Sequence, residues 1–310
     1  MKLILETKIP ESDFKINHKD AIVCIGSCFA DNIGKQLKDD GFKTLINPLG
    51  ILFDPASIRR AIAVEFNNNN LSGVTVATSG GAVNSNFHSS IIGESPEELA
   101  KLVMKKKMLF WDQLSEAKVV FVTFGTAWVH KYLKTGDLVA NCHKLPAKEF
   151  EKCLLDVDKE YIKWMSVISG WQRLNPKLKV VFTVSPVRHA KNGLRENNIS
   201  KGILHLIIHK LQDKFEGVHY FPSYEIVMDE LRDYRYFKED MVHPNEMAVN
   251  YIYEKLVDTY FSKNTEAVCK IKRNLNKAKA HRFMNASDEE KQMHQKLIEN
   301  LEQQFQDRIK

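Results

Sequence analysis

Long apolar runs are missing from this 310-residue sequence. A membrane-crossing helix needs about 20 consecutive apolar residues, and no stretch approaches that, so no membrane partner is expected. The opening residues Met1-Lys2-Leu3-Ile4-Leu5-Glu6 hold too few apolar side chains for a secretory leader, which makes the cytoplasm the expected location. Cysteine is scarce and odd in number: the five, Cys24, Cys28, Cys142, Cys153 and Cys269, give no disulfide framework, and reduced thiols are expected. Cys24 and Cys28 have no second close pair to complete a zinc set, so no metal and no other cofactor is expected. Concentrated basic charge is also lacking. The net charge of +6 is spread along the chain, with Lys105-Lys106-Lys107 the one tight run, and this reads as a solvated face, not a nucleic-acid surface. What is present is ordinary for a globular protein: 44% hydrophobic and 27% charged residues, enough to bury a substantial core.

Ala21-Ile22-Val23-Cys24-Ile25 reads as a buried strand, after which Phe29, Ile33 and Leu37 recur at helical spacing, so a helix is expected from Ser27 to Asp40, closed by Gly41. A shaped loop, Asn47 to Pro55, leads to a helix over Ala56–Phe66 and then a polar break at Asn67–Asn70. Leu71–Ser95 shows little periodicity and reads as an insertion or site rim carrying Asn84, Asn86, His88 and Ser89. Ser95-Pro96-Glu97-Glu98 starts a helix that continues through Leu102. Strands are expected at Lys118–Phe124, Lys179–Val184 and His219–Pro222, with helices at Pro146–Gly170 and Ile199–Phe215, and another opened by Pro244. Continuous apolar strands alternating with helices predict an α/β fold with a mostly parallel sheet covered on both faces. Residues 1–263 form the expected main domain. Residues 264–310, highly charged with a narrow Leu297, Ile298, Leu301, Phe305 stripe, form a helical extension packing across that domain, against a partner or in a homo-oligomer.

Ligands in such folds bind beyond the carboxyl ends of the strands, where Gly26-Ser27, Gly125-Thr126 and Ser185-Pro186 fall. A serine at a helix start is either an N-cap or a nucleophile set over unpaired N–H groups and the positive end of the helix dipole. Asp240-Met241-Val242-His243 favours the second role, because an aspartate three residues before a histidine can hold Nδ1 and leave Nε2 free as a base. Arg188 and His189 follow a strand end and suit either an anionic substrate group or simple solvation, whereas His205 and His209, four apart on an apolar helix, read as structural. Trp128, Trp164 and Trp171 read as core or cleft wall.

The order Ser27 … Asp240-x-x-His243 resembles the SGNH or GDSL hydrolase superfamily, and Gly26-Ser27-Cys28-Phe29-Ala30 spells the motif that names the GSCFA domain family. Asn47-Pro48-x-Gly50, Gly125-Thr126-Ala127-Trp128-Val129 and Asn141-Cys142-His143-Lys144 resemble further blocks of that family, so the resemblance runs over about residues 1 to 265. It implies a three-layer α/β/α sandwich, flavodoxin-like in kind, that cleaves or transfers acyl esters of a small metabolite or carbohydrate without metal or cofactor. By the same resemblance Ser27 attacks, His243 acts as base and then acid, and Asp240 orients it. The oxyanion would be held by the Ser27 and Gly50 N–H groups and a third-block amide, with Gly125 and His143 in the substrate-binding set. Two departures stand out. Ala127 occupies the place where the superfamily supplies an asparagine, leaving Thr126, Asn47 and Asn141 as substitutes. A gapless alignment on Gly26 also sets Cys28 where the superfamily has its serine; helix-start geometry favours Ser27. The rival expectation is a ligand-binding or scaffold protein that keeps the cleft without turnover.

Overall fold

The computed structural model describes residues 4–63, 71–143, 145–284 and 287–309. Five parallel strands make the central sheet: β1 (Ala21–Gly26), β2 (Lys43–Ile46), β5 (Ala117–Phe124), β9 (Lys179–Val184) and β10 (Val218–Tyr220), in the spatial order β10-β9-β5-β1-β2. Counted along the chain this is the 2-1-3-4-5 arrangement, whose switch point lies between β1 and β5. The expected α/β fold with a mostly parallel sheet is therefore the fold found.

Alternation along the strands sends side chains to two cores. Val23, Ile25, Val120, Val122, Val180 and Phe182 face the first, covered by α2 (Pro55–Ile62), α3 (Pro96–Glu116), α4 (Val157–Leu174) and α5 (Leu194–Lys214). Ile22, Cys24, Val119, Phe121 and Val181 face the second, covered by α1 (Cys28–Asp39), α7 (Glu246–Tyr260) and α8 (Lys263–Ala280). The last helix, α9 (Asp288–Ile309), folds back on α8 and buries Phe305 against Gly41. Residue Arg273 of α8 binds the buried Asp40 carboxylate through two hydrogen bonds, 2.7 and 2.6 Å, and Tyr253 Oη donates to the same group at 2.8 Å. Helices α7 and α8 are thereby fastened to the end of α1.

Several elements differ from the sequence expectation. The helix expected at 146–170 begins only at Val157, where Asp156 caps it by accepting the Lys159 N–H; Phe150–Leu154 is instead strand β8. It pairs antiparallel with β6 (Trp128–Tyr132), which also pairs with β7 (Leu138–Val139). Leu154 and Val157 fit the helical spacing by coincidence, and the cap decides where the helix starts. Helix α3 runs on to Glu116, because the Lys105–Lys107 run does not break it: Lys107 is buried and its Nζ donates to Ala63 O at 2.7 Å. The rim region contains a hairpin, β3 (Thr75–Thr78) and β4 (Gly81–Asn84). Helix α7 is capped by Asn245, which accepts the Ala248 N–H, so Pro244 precedes the cap and is not the first helical residue. The expected end of the second helix at Phe66, the Asn67–Asn70 break and Lys144 lie outside the described residues. A short α6 (Ser223–Glu225) runs into a π-helical stretch, Ile226–Leu231. No described helix is long and apolar enough to cross a membrane.

Candidate active site

The turn from β1 to α1 sits at the switch point, and its geometry is forced by backbone contact. Gly26 has φ +125°, and a Cβ there would lie 2.1 Å from Thr123 O on the neighbouring strand β5. Only glycine fits both conditions. Its N–H donates to Asn47 Oδ1 at 2.8 Å, and Asn47 Nδ2 in turn donates to Asp31 Oδ1 on α1 at 2.6 Å. Ser27 follows as the N-cap: its Oγ accepts the Phe29 N–H at 3.3 Å, its own N–H donates to Thr123 O at 3.1 Å, and the residue is 1% exposed. Cys28, the first residue of α1, is partly exposed; burial and the Asp31 carboxylate push its thiol pKa up, while the nearby Lys201 charge opposes them. All five cysteines are free thiols.

Opposite chemistry stands on the loop before α7. His243 Nδ1 lies 2.7 Å from Asp240 Oδ2, while Asp240 Oδ1 accepts the N–H groups of Val242 and His243 at 3.0 and 2.9 Å. These N–H bonds, with the imidazole, pull the Asp240 pKa down to about 2. The pair is open to solvent, His243 43% and Asp240 47% by side chain. The turn needs a left-handed residue, Met241 at φ 58°. With Nδ1 held, Nε2 is left to take a proton. The loop is tied back to the sheet by Arg188 N–H donating to Val242 O at 3.2 Å. Next in the chain, His189 is pushed down to about 4 by burial first and then by the charges of Lys201 and His243.

The structure brings the expected second and third blocks to the turn. A Cβ on Gly125 would lie 3.3 Å from Ser27 Cβ, so the β5 end and the Gly26–Cys28 turn are in contact. The donors expected of these blocks are, however, already engaged. Gly50 N–H closes a turn onto Asn47 O at 2.9 Å, and Gly125 and Thr126 N–H both donate to Phe53 O, at 2.7 and 3.1 Å. The Asn47 side chain is consumed in the brace described above. Thr126 Oγ1 shares a 3.1 Å hydrogen bond with Ser200 Oγ and accepts the Trp128 N–H at 3.1 Å. Asn141 Oδ1 accepts the His143 N–H at 2.9 Å, and His143 Nε2 lies 2.8 Å from Asn84 O. That loop joins the rim through Ala140 and Asn141 N–H, which donate to Ser85 O, and the rim reaches Gly50, where an added Cβ would meet His88 Cβ at 2.4 Å. Ser27, Gly50, Gly125, Thr126, Asn47, Asn141 and His143 therefore belong to one connected wall, whereas Asp240 and His243 stand on the loop before α7.

Sequence reasoning missed the residues beneath that wall. Asn197, Ser200 and Lys201, at the i, i+3, i+4 positions of α5, are all buried. Asn197 Oδ1 accepts the His189 N–H at 3.0 Å, Ser200 Oγ accepts the Ala127 N–H at 2.7 Å, and Lys201 Nζ donates to Gly125 O and Ser185 O, both at 2.6 Å. The available signal was three polar residues on the face of α5 that Leu204, Ile207, Ile208 and Leu211 otherwise make apolar. His205 meets Tyr220, Tyr224 and Glu225. Trp164 and Trp171 lie in the first core, fully buried. Among the described residues no group of three or more His, Cys, Asp or Glu side chains is arranged to hold a metal ion.

Similar solved structures include a Clostridium thermocellum family 3 carbohydrate esterase, with 11% identity, 81% of this chain and 97% of that chain covered, and a TM-score of 0.34. A Corynascus thermopiles (Myceliophthora fergusii) carbohydrate esterase family 2 enzyme with its carbohydrate binding domain matches at 11% identity, with 81% and 67% covered and a TM-score of 0.39. A carbohydrate esterase family 3 protein from Talaromyces cellulolyticus matches at 9% identity, with 82% and 99% covered and a TM-score of 0.35. Among curated protein sequences, none matches this chain. The profile of the GSCFA family matches residues 21–256, a span that holds the turn, the wall and the Asp240–His243 loop, and the chain belongs to the GSCFA family.

Proposed function

We propose that the protein cleaves or transfers the acyl group of a small acylated metabolite or carbohydrate, with His243 as base and then acid, Asp240 as the carboxylate that orients it, and a nucleophile from the Gly26–Ser27–Cys28 turn. The observation that carries this reading is the Asp240–His243 pair: one carboxylate oxygen fixes the ring at Nδ1 while the other is held by two backbone N–H groups. A hydroxyl or thiol needs such a base to become an effective nucleophile. Ser27 is the expected attacking group, and in the conformation described its Oγ is the cap of α1, so attack from it requires release of the Phe29 N–H.

The test is hydrolysis of short p-nitrophenyl esters by purified protein, with Ser27→Ala, Cys28→Ala and His243→Ala in parallel. Loss of turnover in His243→Ala, and in one of the two turn variants, is expected. Wild-type protein that neither hydrolyses these esters nor transfers their acyl group to an added alcohol overturns the reading. One observation favours the rival, a binding or scaffold protein: the Gly50 and Gly125 N–H groups are bonded within the protein and are not aimed at a ligand. Under that reading His243→Ala has no turnover to remove.

A further inference from the structure

Arg188 carries a charge that the reaction as proposed leaves unused. It stands just beyond the carboxyl end of β9, where ligands of such sheets bind, and by sequence alone it suits an anionic group or plain solvation. Its side chain is not simply solvated. The guanidinium Cζ lies 4.7 Å from the ring centroid of Phe237 and 5.6 Å from that of Tyr234, and the two rings, 5.8 Å apart and tilted by 46°, form a corner for it. Nη2 donates to Met228 Sδ at 3.3 Å, a weak acceptor. Phe237 is buried and Arg188 half-buried. A ring takes the face of a guanidinium and leaves the N–H groups in its plane, the fork that pairs with a carboxylate. Among the described residues no carboxylate fills that fork: Asp233 is paired with Arg235, and Asp240 with His243. The corner is also built beside the base. Arg188 N–H donates at 3.2 Å to O of Val242, the residue before His243, and the backbone of Phe237 bridges to Pro244, the residue after it. Lys238 N–H donates to His243 O at 2.8 Å. The backbone that carries the imidazole is therefore bonded both to Arg188 and to the segment whose ring Arg188 lies on.

We propose that Arg188 is a specificity-determining residue that holds a carboxylate carried by the ester, so that the substrate is a monoanionic acylated metabolite and not a neutral ester. The proposal rests on the acyl-transfer reading above and names its substrate class. Among the described residues Arg188 is the one cation over either ring, which matches one negative charge and not the two of a phosphate monoester. Stacking holds the fork in place before the substrate arrives, so less side-chain freedom is lost on binding.

The test compares esters that differ only in that charge, at neutral pH. The pair 4-nitrophenyl hydrogen succinate and 4-nitrophenyl methyl succinate varies the acyl side; 4-acetoxybenzoate and methyl 4-acetoxybenzoate vary the alcohol side. Wild type is expected to prefer the anionic member of one pair by kcat/KM. Arg188→Met, whose unbranched chain can still lie on the rings, is expected to lower that preference about 10- to 100-fold, the worth of a hydrogen bond to a charged group. Arg188→Lys keeps a charge without the fork and is expected to fall between the two. A wild-type protein that cleaves these esters without preferring either anion, or a preference that survives in folded Arg188→Met, overturns the proposal and leaves Arg188 a strap for the loop. Should that variant not fold, a preference unchanged in Arg188→Lys does the same. If wild type turns over none of the four esters, calorimetric titration with monomethyl succinate and with 4-acetoxybenzoate decides. Binding to wild type that Arg188→Met loses upholds the carboxylate site and removes the acyl-transfer reading, whereas binding that is absent, or equal in the two proteins, overturns the proposal.

Discussion

The two sides of the candidate site are built in opposite ways. The turn at residues 26–28 is buried and held by long-range bonds: Gly26 to Asn47, Asn47 to Asp31, Ser27 to Thr123, with α5 fixing the third block from below. The Asp240–His243 pair is nearly half exposed, and the bonds of the Asp240 carboxylate span no more than three residues. In the first, shape and stability are inseparable, since each donor is also part of the fold. In the second, an exposed carboxylate and imidazole are set against each other by the loop that carries them both.

That contrast is sharpest at Gly26. Gly26→Ala sets a methyl 2.1 Å from Thr123 O at a φ of +125°, and a loss of about 4 kcal/mol or failure to fold is expected; a denaturant midpoint near wild type would break the comparison. On the exposed side, His243→Ala is expected to lower ester turnover by about 10²- to 10⁴-fold while changing stability by less than about 0.5 kcal/mol, read from kcat and thermal melting of the same preparation. A large drop in melting temperature would show that the loop is part of the fold after all. Asn47→Ala should cost about 1–3 kcal/mol, because it strands the Gly26 N–H and the Asp31 carboxylate in a partly buried place, with unfolding by urea as the measure. The smallest effect concerns acid. Asp240 titrates lower in the folded protein, about 2, than in the unfolded chain, about 4. Its stabilising contribution is therefore present above pH 4 and is lost as pH falls through 2. Carboxyl NMR should place its midpoint near 2, and an ordinary value would mean that the loop is not formed in solution.

Features that depend on local periodicity were legible in the sequence: the strand-to-helix change at Ser27, the parallel core strands, the proximity in sequence of Asp240 and His243. What was hidden depends on distant partners. Asn47 looked like a spare amide because nothing nearby reveals that Gly26 and Asp31 use both ends of it. Lys201 looked like one lysine among many, since its acceptor Gly125 is 76 residues away. The β6–β8 sheet was masked by apolar residues that fit two periods at once, and only the Asp156 cap separates strand from helix.

The five-letter motif can be decoded letter by letter from the contacts of the turn. The first is dictated by the backbone of β5, the second by the helix end it stops, the fourth and fifth by a core that leaves Phe29 1% and Ala30 2% exposed. Mechanics alone would spell G-S-x-F-A. The third letter, Cys28, is the one whose side chain the fold leaves partly exposed, and so it is the position where the motif has room to carry a message about chemistry.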